Sequence, residues 1–250
     1  MTTTLIVLAH PSRQSFNGAW AEASAAACEA VGHEVLWSDL SAHQFEAVEG
    51  ARNFGQNEAG PFDPLKAHEA AVAAGNVPVD MAAEAEKIRR ADQIIFHFPL
   101  WWFAPPAVLK GWFDRALVHG DLHTVEERFD TGRCRGKRAL FCVTTGAGAA
   151  ERGPGGKEGD VTLLLWPSAY TLRYLGFDVY QPEVVHGVHG YFEGAEEAEL
   201  QVRLLGVLEG QVGLVDGLDE RPLMRFNADA DFDESGRLKA GAESFSAFIR

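Results

Sequence analysis

The chain has 250 residues, enough for one large α/β domain with a well-buried core and too few for two comfortable ones. Its 22 Lys and Arg against 36 Asp and Glu give a net charge of −14, which argues against nucleic acid or an anionic membrane as a general partner; an anionic ligand must be held locally. Cys28, Cys134 and Cys142 are odd in number and form no C-x-x-C pair, so no disulfide framework or zinc site is indicated and a reduced, cytoplasmic setting fits.

No basic region precedes the short apolar run at the N-terminus, and no stretch approaches the roughly 18 apolar residues of a spanning helix, so neither targeting nor membrane insertion is expected. That first run, residues 5–9, ends at His10-Pro11, and after Ser15-Phe16-Asn17 comes an alanine-rich segment, 18–31, closed by Gly32. This reads as strand, loop and helix. Residues 34–37 form the next strand, and such β-α-β spacing predicts a parallel sheet with a right-handed crossover. From 41 to 79 prolines and glycines interrupt the pattern, which reads as an excursion outside the core with a short helix over 64–74. A helix over 80–91 leads back into an apolar strand, 93–98. Next come Pro99, Leu100, Trp101, Trp102 and Phe103, and then Pro105-Pro106, after which a helix can begin. Three adjacent rings cannot all face one core, so at least one meets solvent, a flat ligand or another subunit.

Residues 138–145 give a fourth strand, and a glycine-rich loop, 146–159, opens a helix over 160–175 in which Trp166-Pro167 implies a kink or restart. Residues 177–185 are the fifth strand and 193–218 the last helix. We read residues 1–220 as one domain and 221–250 as an irregular tail. Five strands alternating with helices make a doubly wound α/β sheet, with ligands expected at the carboxyl edge of the strands.

Three loops at that edge carry the residues most suited to chemistry. His10, Ser12, Ser15 and Asn17 precede a helix, where free N–H groups and the macrodipole favour phosphate, although Ser15 or Asn17 serves equally as an ordinary N-cap. Thr144, Thr145, Gly146 and Ala147 let the backbone approach a planar ring, or form only a structural turn. This loop is neither a dinucleotide fingerprint, since Glu151 stands at the third glycine, nor a P-loop, since Glu158 follows Lys157. His186 with His189, and His119 with His123, have spacings that metal ligands could use, but no carboxylate or cysteine cluster supports a metal. The run Asp229, Asp231, Asp233 opens like a calcium loop and fails at Glu234 and Ala240.

The chain resembles the NAD(P)H:quinone oxidoreductase family of FAD-dependent flavodoxin-like reductases. The likeness lies in Ala9-His-Pro with Ser15-Phe-Asn17, in Phe98-Pro-Leu-Trp-Trp-Phe103 running into Leu109-Lys-Gly-Trp-Phe-Asp-Arg115, in Thr144-Thr-Gly146, and in Leu165-Trp-Pro167 before Gly176-Phe177. It covers roughly residues 4–190. The resemblance implies a flavodoxin-like sheet of order 2-1-3-4-5 and a homodimer with FAD at the subunit interface. It implies a ping-pong mechanism, in which NADH or NADPH gives hydride to the flavin and a quinone-like acceptor then takes two electrons. By the same resemblance His10, Ser15, Phe16 and Asn17 hold the diphosphate, while Pro99, Leu100, Trp101, Trp102 and Phe103, with Thr144, Thr145, Gly146 and Ala147, line the isoalloxazine. Trp102, Phe103, His123, Val125 and His186 face the substrate. A loop tyrosine and histidine that the family uses to stabilise the reduced ring align with Arg152 and Glu158, and two pocket tyrosines align with His123 and Val125. Arg152 is therefore expected to supply the cation, oriented by Glu158 and assisted by Gly146, with Lys157 as the neighbouring candidate. An azo, nitro or chromate acceptor, or a flavin-binding regulator of potassium efflux, is the alternative to a quinone reductase.

Overall fold

A computed structural model describes residues 1–249. In chain order the elements are β1 (Thr3–Leu8), α1 (Phe16–Ala30), β2 (Glu34–Asp39), α2 (Pro64–Ala74), α3 (Val79–Arg90), β3 (Gln93–Pro99), α4 (Ala107–Ala116) and β4 (Arg138–Thr144). They continue with α5 (Val161–Leu175), β5 (Asp178–Val179), β6 (Glu183–Val185), α6 (Ala195–Glu209) and α7 (Gln211–Asp216). The strands are parallel in the order β2-β1-β3-β4-β5, with β6 also on β4, and helices cover both faces. This is the flavodoxin-like order expected from the resemblance.

The two faces follow from strand alternation, which sends successive side chains to opposite sides. Leu5, Val7, Ile94, Phe96, Phe98 and Phe141 pack with residues of α3, α4 and α5, whereas Ile6, Leu8, Ile95, Leu140 and Cys142 pack with residues of α1 and α7. Fully burying each such aliphatic or aromatic side chain contributes about 1.5–3 kcal/mol. The apolar density of the central strands follows, because a sheet covered on both sides has no wet face.

Two elements differ from the sequence reading. The fifth strand is split: β5 and β6 both pair with β4, and the chain opens between them at Tyr180, Gln181 and Pro182. Pro182 has no N–H for the ladder, and the returning chain uses the opening. Gln181 N–H donates to Pro222 O, Met224 N–H donates to Val179 O, and Arg221 donates to Gln181 O and Pro182 O. The expected last helix is two, α6 and α7, joined at Gly210. Of the kink or restart expected at Trp166-Pro167, the restart does not occur, since α5 runs on through Pro167. Leu163, whose carbonyl loses the helical donor at Pro167, lies on an exposed turn.

The 41–79 excursion is anchored from below. Gly111 of α4 meets the backbone of Ala47 so closely that a Cβ would stand 2.2 Å from its carbonyl oxygen. One turn on, the buried Arg115 donates to Glu46 O at 2.6 Å and pairs with Asp80. At the other end of the chain the tail rests on α5, with Phe248 stacked on Trp166 at 5.0 Å and Trp166 on Tyr170 at 4.2 Å.

His97, in the centre of β3, is fully buried, touches Trp20 edge-on, and has no hydrogen-bond partner on either ring nitrogen among the described residues. Burial holds its pKa down to about 3. The unfolded chain therefore binds a proton between about pH 6.5 and 3 that the folded chain refuses, so stability is complete above that window and falls as pH drops through it. We expect on the order of 3 kcal/mol to be lost to this group between pH 7 and pH 4. Urea unfolding of His97→Leu at those pH values should show a flatter dependence than wild type; equal slopes would refute the assignment.

Candidate functional site

Strands β3 and β4 end level at Pro99 and Thr144, β1 ends two positions earlier at Leu8 opposite His97, and the loops that follow the three strands meet at Thr144. Pro99 pairs with Thr144 at the last rung of the β3–β4 ladder, Leu100 N–H donates to Thr144 O at 2.8 Å, and Asn17 Nδ2 donates to Thr144 Oγ1 at 2.9 Å. The start of α1, the aromatic loop and the end of β4 are thereby fixed relative to one another.

At α1, Ser15 is the N-cap and accepts from Gly18 N–H. Among the described residues the amide N–H groups of Phe16 and Asn17 have no acceptor, and the buried Asn17 Oδ1 has no donor. Free N–H groups at the positive end of a 15-residue helix suit an anion. His10 closes the loop: its Nδ1 accepts from Ser12 N–H at 3.0 Å, and its ring lies 5.8 Å from Trp101.

The aromatic loop is a tight reversal. Trp101 and Ala104 exchange both backbone hydrogen bonds, at 2.9 and 3.0 Å, and the two residues between them take positive φ, +49° at Trp102 and +64° at Phe103. Positive φ at both central positions is the type I′ pattern, which favours Asn-Gly. A bulky side chain there costs about 1–2 kcal/mol. The strain places the rings outward: Leu100 is buried, Trp101 and Phe103 are about half exposed, and Trp102 is 92% exposed.

The glycine-rich loop folds Arg152 inward. Arg152 N–H donates to Gly148 O and its carbonyl accepts from Val161 N–H, which leaves the side chain 93% buried. Its Nη1 donates to Glu158 O at 2.8 Å, its Nη2 pairs with the Glu158 carboxylate at 2.9 Å, and the guanidinium carbon sits 5.0 Å from the centre of the Phe103 ring. Arg152 Nε has no hydrogen-bond partner among the described residues. Lys157, the neighbouring candidate, is instead exposed and paired with Glu151 at 3.0 Å.

Between these parts lies a cavity of about 600 Å³. Pro99, Leu100, Trp101 and Trp102 form one wall, Thr144, Gly146 and Ala147 the floor, and Arg152 with Glu158 the far side. The N–H groups of Gly146 and Ala147 have no acceptor among the described residues. A planar ligand fits such a slot, with donors and one buried cation at its edge. His186 stands behind the floor, its Nδ1 3.0 Å from Thr145 Oγ1, and its pKa is lowered by burial and then by the Arg152 and Arg203 guanidinium groups. His123 and Val125 do not reach this cavity in their own chain: His123 lines a second cavity and Val125 is exposed. Glu151, Val188, His189 and Tyr191 also line the slot. The sequence reading missed them as lining residues, although three of the four follow β6 at the same carboxyl edge. No group of three or more His, Cys, Asp or Glu among the described residues could hold a metal ion.

A family model described as a flavodoxin-like fold matches residues 2–205. The chain is 38% identical over 191 residues to NAD(P)H dehydrogenase (quinone) 1 of Rattus norvegicus, covering 74% of this chain and 68% of the relative. It is 36% identical over 184 residues to ribosyldihydronicotinamide dehydrogenase (quinone) of Homo sapiens, covering 72% and 79%. A solved Klebsiella pneumoniae protein described as a quinone reductase superposes with a TM-score of 0.80 at 32% identity, over 96% of this chain and 94% of that one.

The strained reversal is open to test without any ligand. Replacing Trp102-Phe103 by Asn-Gly should raise the unfolding free energy by about 1–2 kcal/mol, because the backbone strain disappears and little packing is lost. A decrease in urea-unfolding stability would mean that the rings hold the loop rather than strain it.

Proposed function

The chain belongs to the flavodoxin-like family and, within it, to the NAD(P)H:quinone oxidoreductases, and on that premise we propose that it is an FAD-dependent enzyme passing two electrons from NADH or NADPH to a quinone-like acceptor by a ping-pong route. When bound, the flavin supplies hydride chemistry that no amino-acid side chain provides. The observation that carries this reading is the slot itself, with a buried, oriented arginine across from an outward-turned aromatic loop.

The residues present fit such a group. Ser15, Phe16 and Asn17, with His10 bracing the loop, receive the diphosphate, where the free N–H groups of Phe16 and Asn17 compensate for the acidity of the chain as a whole. Pro99, Leu100, Trp101, Trp102 and Phe103 supply apolar and aromatic surface to the ring. Thr144, Thr145, Gly146 and Ala147 meet it with backbone in which Gly146 and Ala147 carry N–H donors without an acceptor among the described residues, and His186 holds the Thr145 hydroxyl in place.

Two electrons delivered into the slot add negative charge, and Arg152 is the group placed to meet it. Its guanidinium stays protonated throughout the cycle, its burial strengthens the interaction, and Glu158 fixes its direction through two contacts, so little reorganisation is needed when the charge arrives. His123 and Val125 act across a homodimer interface, in the cavity of the partner subunit; their position away from the slot of their own chain supports that arrangement.

Anaerobic stopped-flow reduction by NADH and by NADPH tests the proposal, with extraction to identify the flavin and an acceptor panel of quinones, azo dyes and chromate. Arg152→Ala should slow reduction by about 100-fold and lower the flavin potential, whereas Lys157→Ala should change neither. Unchanged rate and potential in Arg152→Ala would remove Arg152 from the mechanism, and protein isolated without flavin that fails to take it up would remove the proposal.

A further inference from the structure

Of the tryptophans, tyrosines and phenylalanines among the described residues, the two most exposed are Trp102, at 92%, and Tyr191, at 90%. Both line the same cavity, the slot at the carboxyl edge of the sheet. Scattered exposed apolar side chains are ordinary, whereas large rings gathered at one cavity mark surface that a ligand covers.

The sheet sets the two rings on opposite sides of the slot. Trp101 and Trp102 follow β3, Tyr191 follows β6, and β4, whose end forms the floor, pairs with both strands. Two strand spacings, roughly 9–10 Å, separate β3 from β6. One planar group stacked between two rings needs about 7–8 Å between those rings, and two such groups need about 10.5–12 Å. The span between the walls therefore suits one planar group and not two.

The strap that carries Tyr191, residues 187–194, is fastened at its start. Gly187 N–H donates to Ala147 O at 3.0 Å, Val188 N–H donates to Thr145 O at 2.9 Å, and Arg203 donates to His186 O at 2.7 Å. Beyond that point residues 189–193 make no backbone–backbone hydrogen bond among the described residues, which marks a segment that rearranges at low cost. Gly187 and Gly194 bound it at φ +65° and +60°, a region that suits glycine. Within the strap Phe192 packs on His189, their ring centres 4.1 Å apart, and Tyr191 N–H donates to His189 Nδ1 at 3.3 Å. The Tyr191 side chain is left outside, its hydroxyl without a hydrogen-bond partner among the described residues.

We propose that Tyr191 covers the flavin in the resting protein: its ring stacks on the face turned away from the Trp101-Trp102 wall, and a nicotinamide reaches that face only by displacing it. This rests on the reading of the slot as a flavin site. Tyr191 thus helps to retain the flavin and competes with the electron donor, so removing its ring affects the two ligands in opposite directions. One aromatic stack corresponds to about 2- to 10-fold in an equilibrium constant.

Two titrations of the full-length chain test this without turnover. Flavin-depleted protein is titrated with FAD by fluorescence, and oxidised holoprotein is titrated by calorimetry with tetrahydro analogues of NADH and NADPH, whose reduced ring gives up no hydride. Tyr191→Ala should bind FAD about 2- to 10-fold more weakly and the analogues about 2- to 10-fold more tightly. Tyr191→Phe, which keeps the ring, should match wild type in both. A general loosening of the slot would instead weaken both ligands together. Analogue affinity in Tyr191→Ala equal to or weaker than wild type, or unchanged FAD affinity, would overturn the inference and leave the flavin reading intact. Protein that takes up no FAD would overturn that reading and the inference with it.

Discussion

Thr144 is the point at which three separate loops are joined: its side chain accepts from Asn17, its carbonyl accepts from Leu100, and its strand position pairs with Pro99. Each of these groups is buried, and a buried polar group left unpaired costs about 1–3 kcal/mol. The loops are thus held in one relative position by satisfied hydrogen bonds rather than by packing of flexible side chains. Thr145 extends the same lock to the fifth strand, through Val185 O and the His186 ring. A ligand slot at the edge of a parallel sheet needs such a fixed floor, because the strands end there and the ladder no longer orders the chain.

The floor also explains why strain is stored where it is. With Leu100 pinned and Pro105-Pro106 starting the next helix, the chain has only a few residues in which to reverse, and it does so through left-handed Trp102 and Phe103. A sequence chosen for stability alone would place Asn-Gly there. The aromatic pair keeps apolar surface turned outward, and Phe103 receives the Arg152 guanidinium on its face. Backbone strain, exposed aromatic surface and a buried cation with an unpartnered N–H occur together in one place, and such departures from local preference concentrate at functional sites.

The histidines divide along similar lines. His97 is neutral, unpartnered and sealed in the sheet, so it carries acid sensitivity without access to solvent. His186 serves the floor, while His119 and His123 face each other beside an aromatic cavity. None of these roles follows from the residue type, since the ring nitrogens are distinguished only by what surrounds them.

What the sequence by itself determined is local and periodic. Apolar runs such as 93–98, the glycine after α1 and the proline pair before α4 placed the strands and helices, and the motifs around Trp101-Trp102 and Thr144-Thr145-Gly146 named the family and gave one wall and the floor of the slot. Only the tertiary structure decided contacts between residues distant in sequence or turned by a loop. Arg152 rather than Lys157 points inward because Gly148, Glu158 and Val161 hold it there. The fifth strand opens because Pro222 and Met224 return to it, and His123 lies beside His119 rather than in the slot of its own chain. Periodicity records which face of an element is buried, but which partner meets that face depends on how the whole chain closes, and no window of sequence contains it.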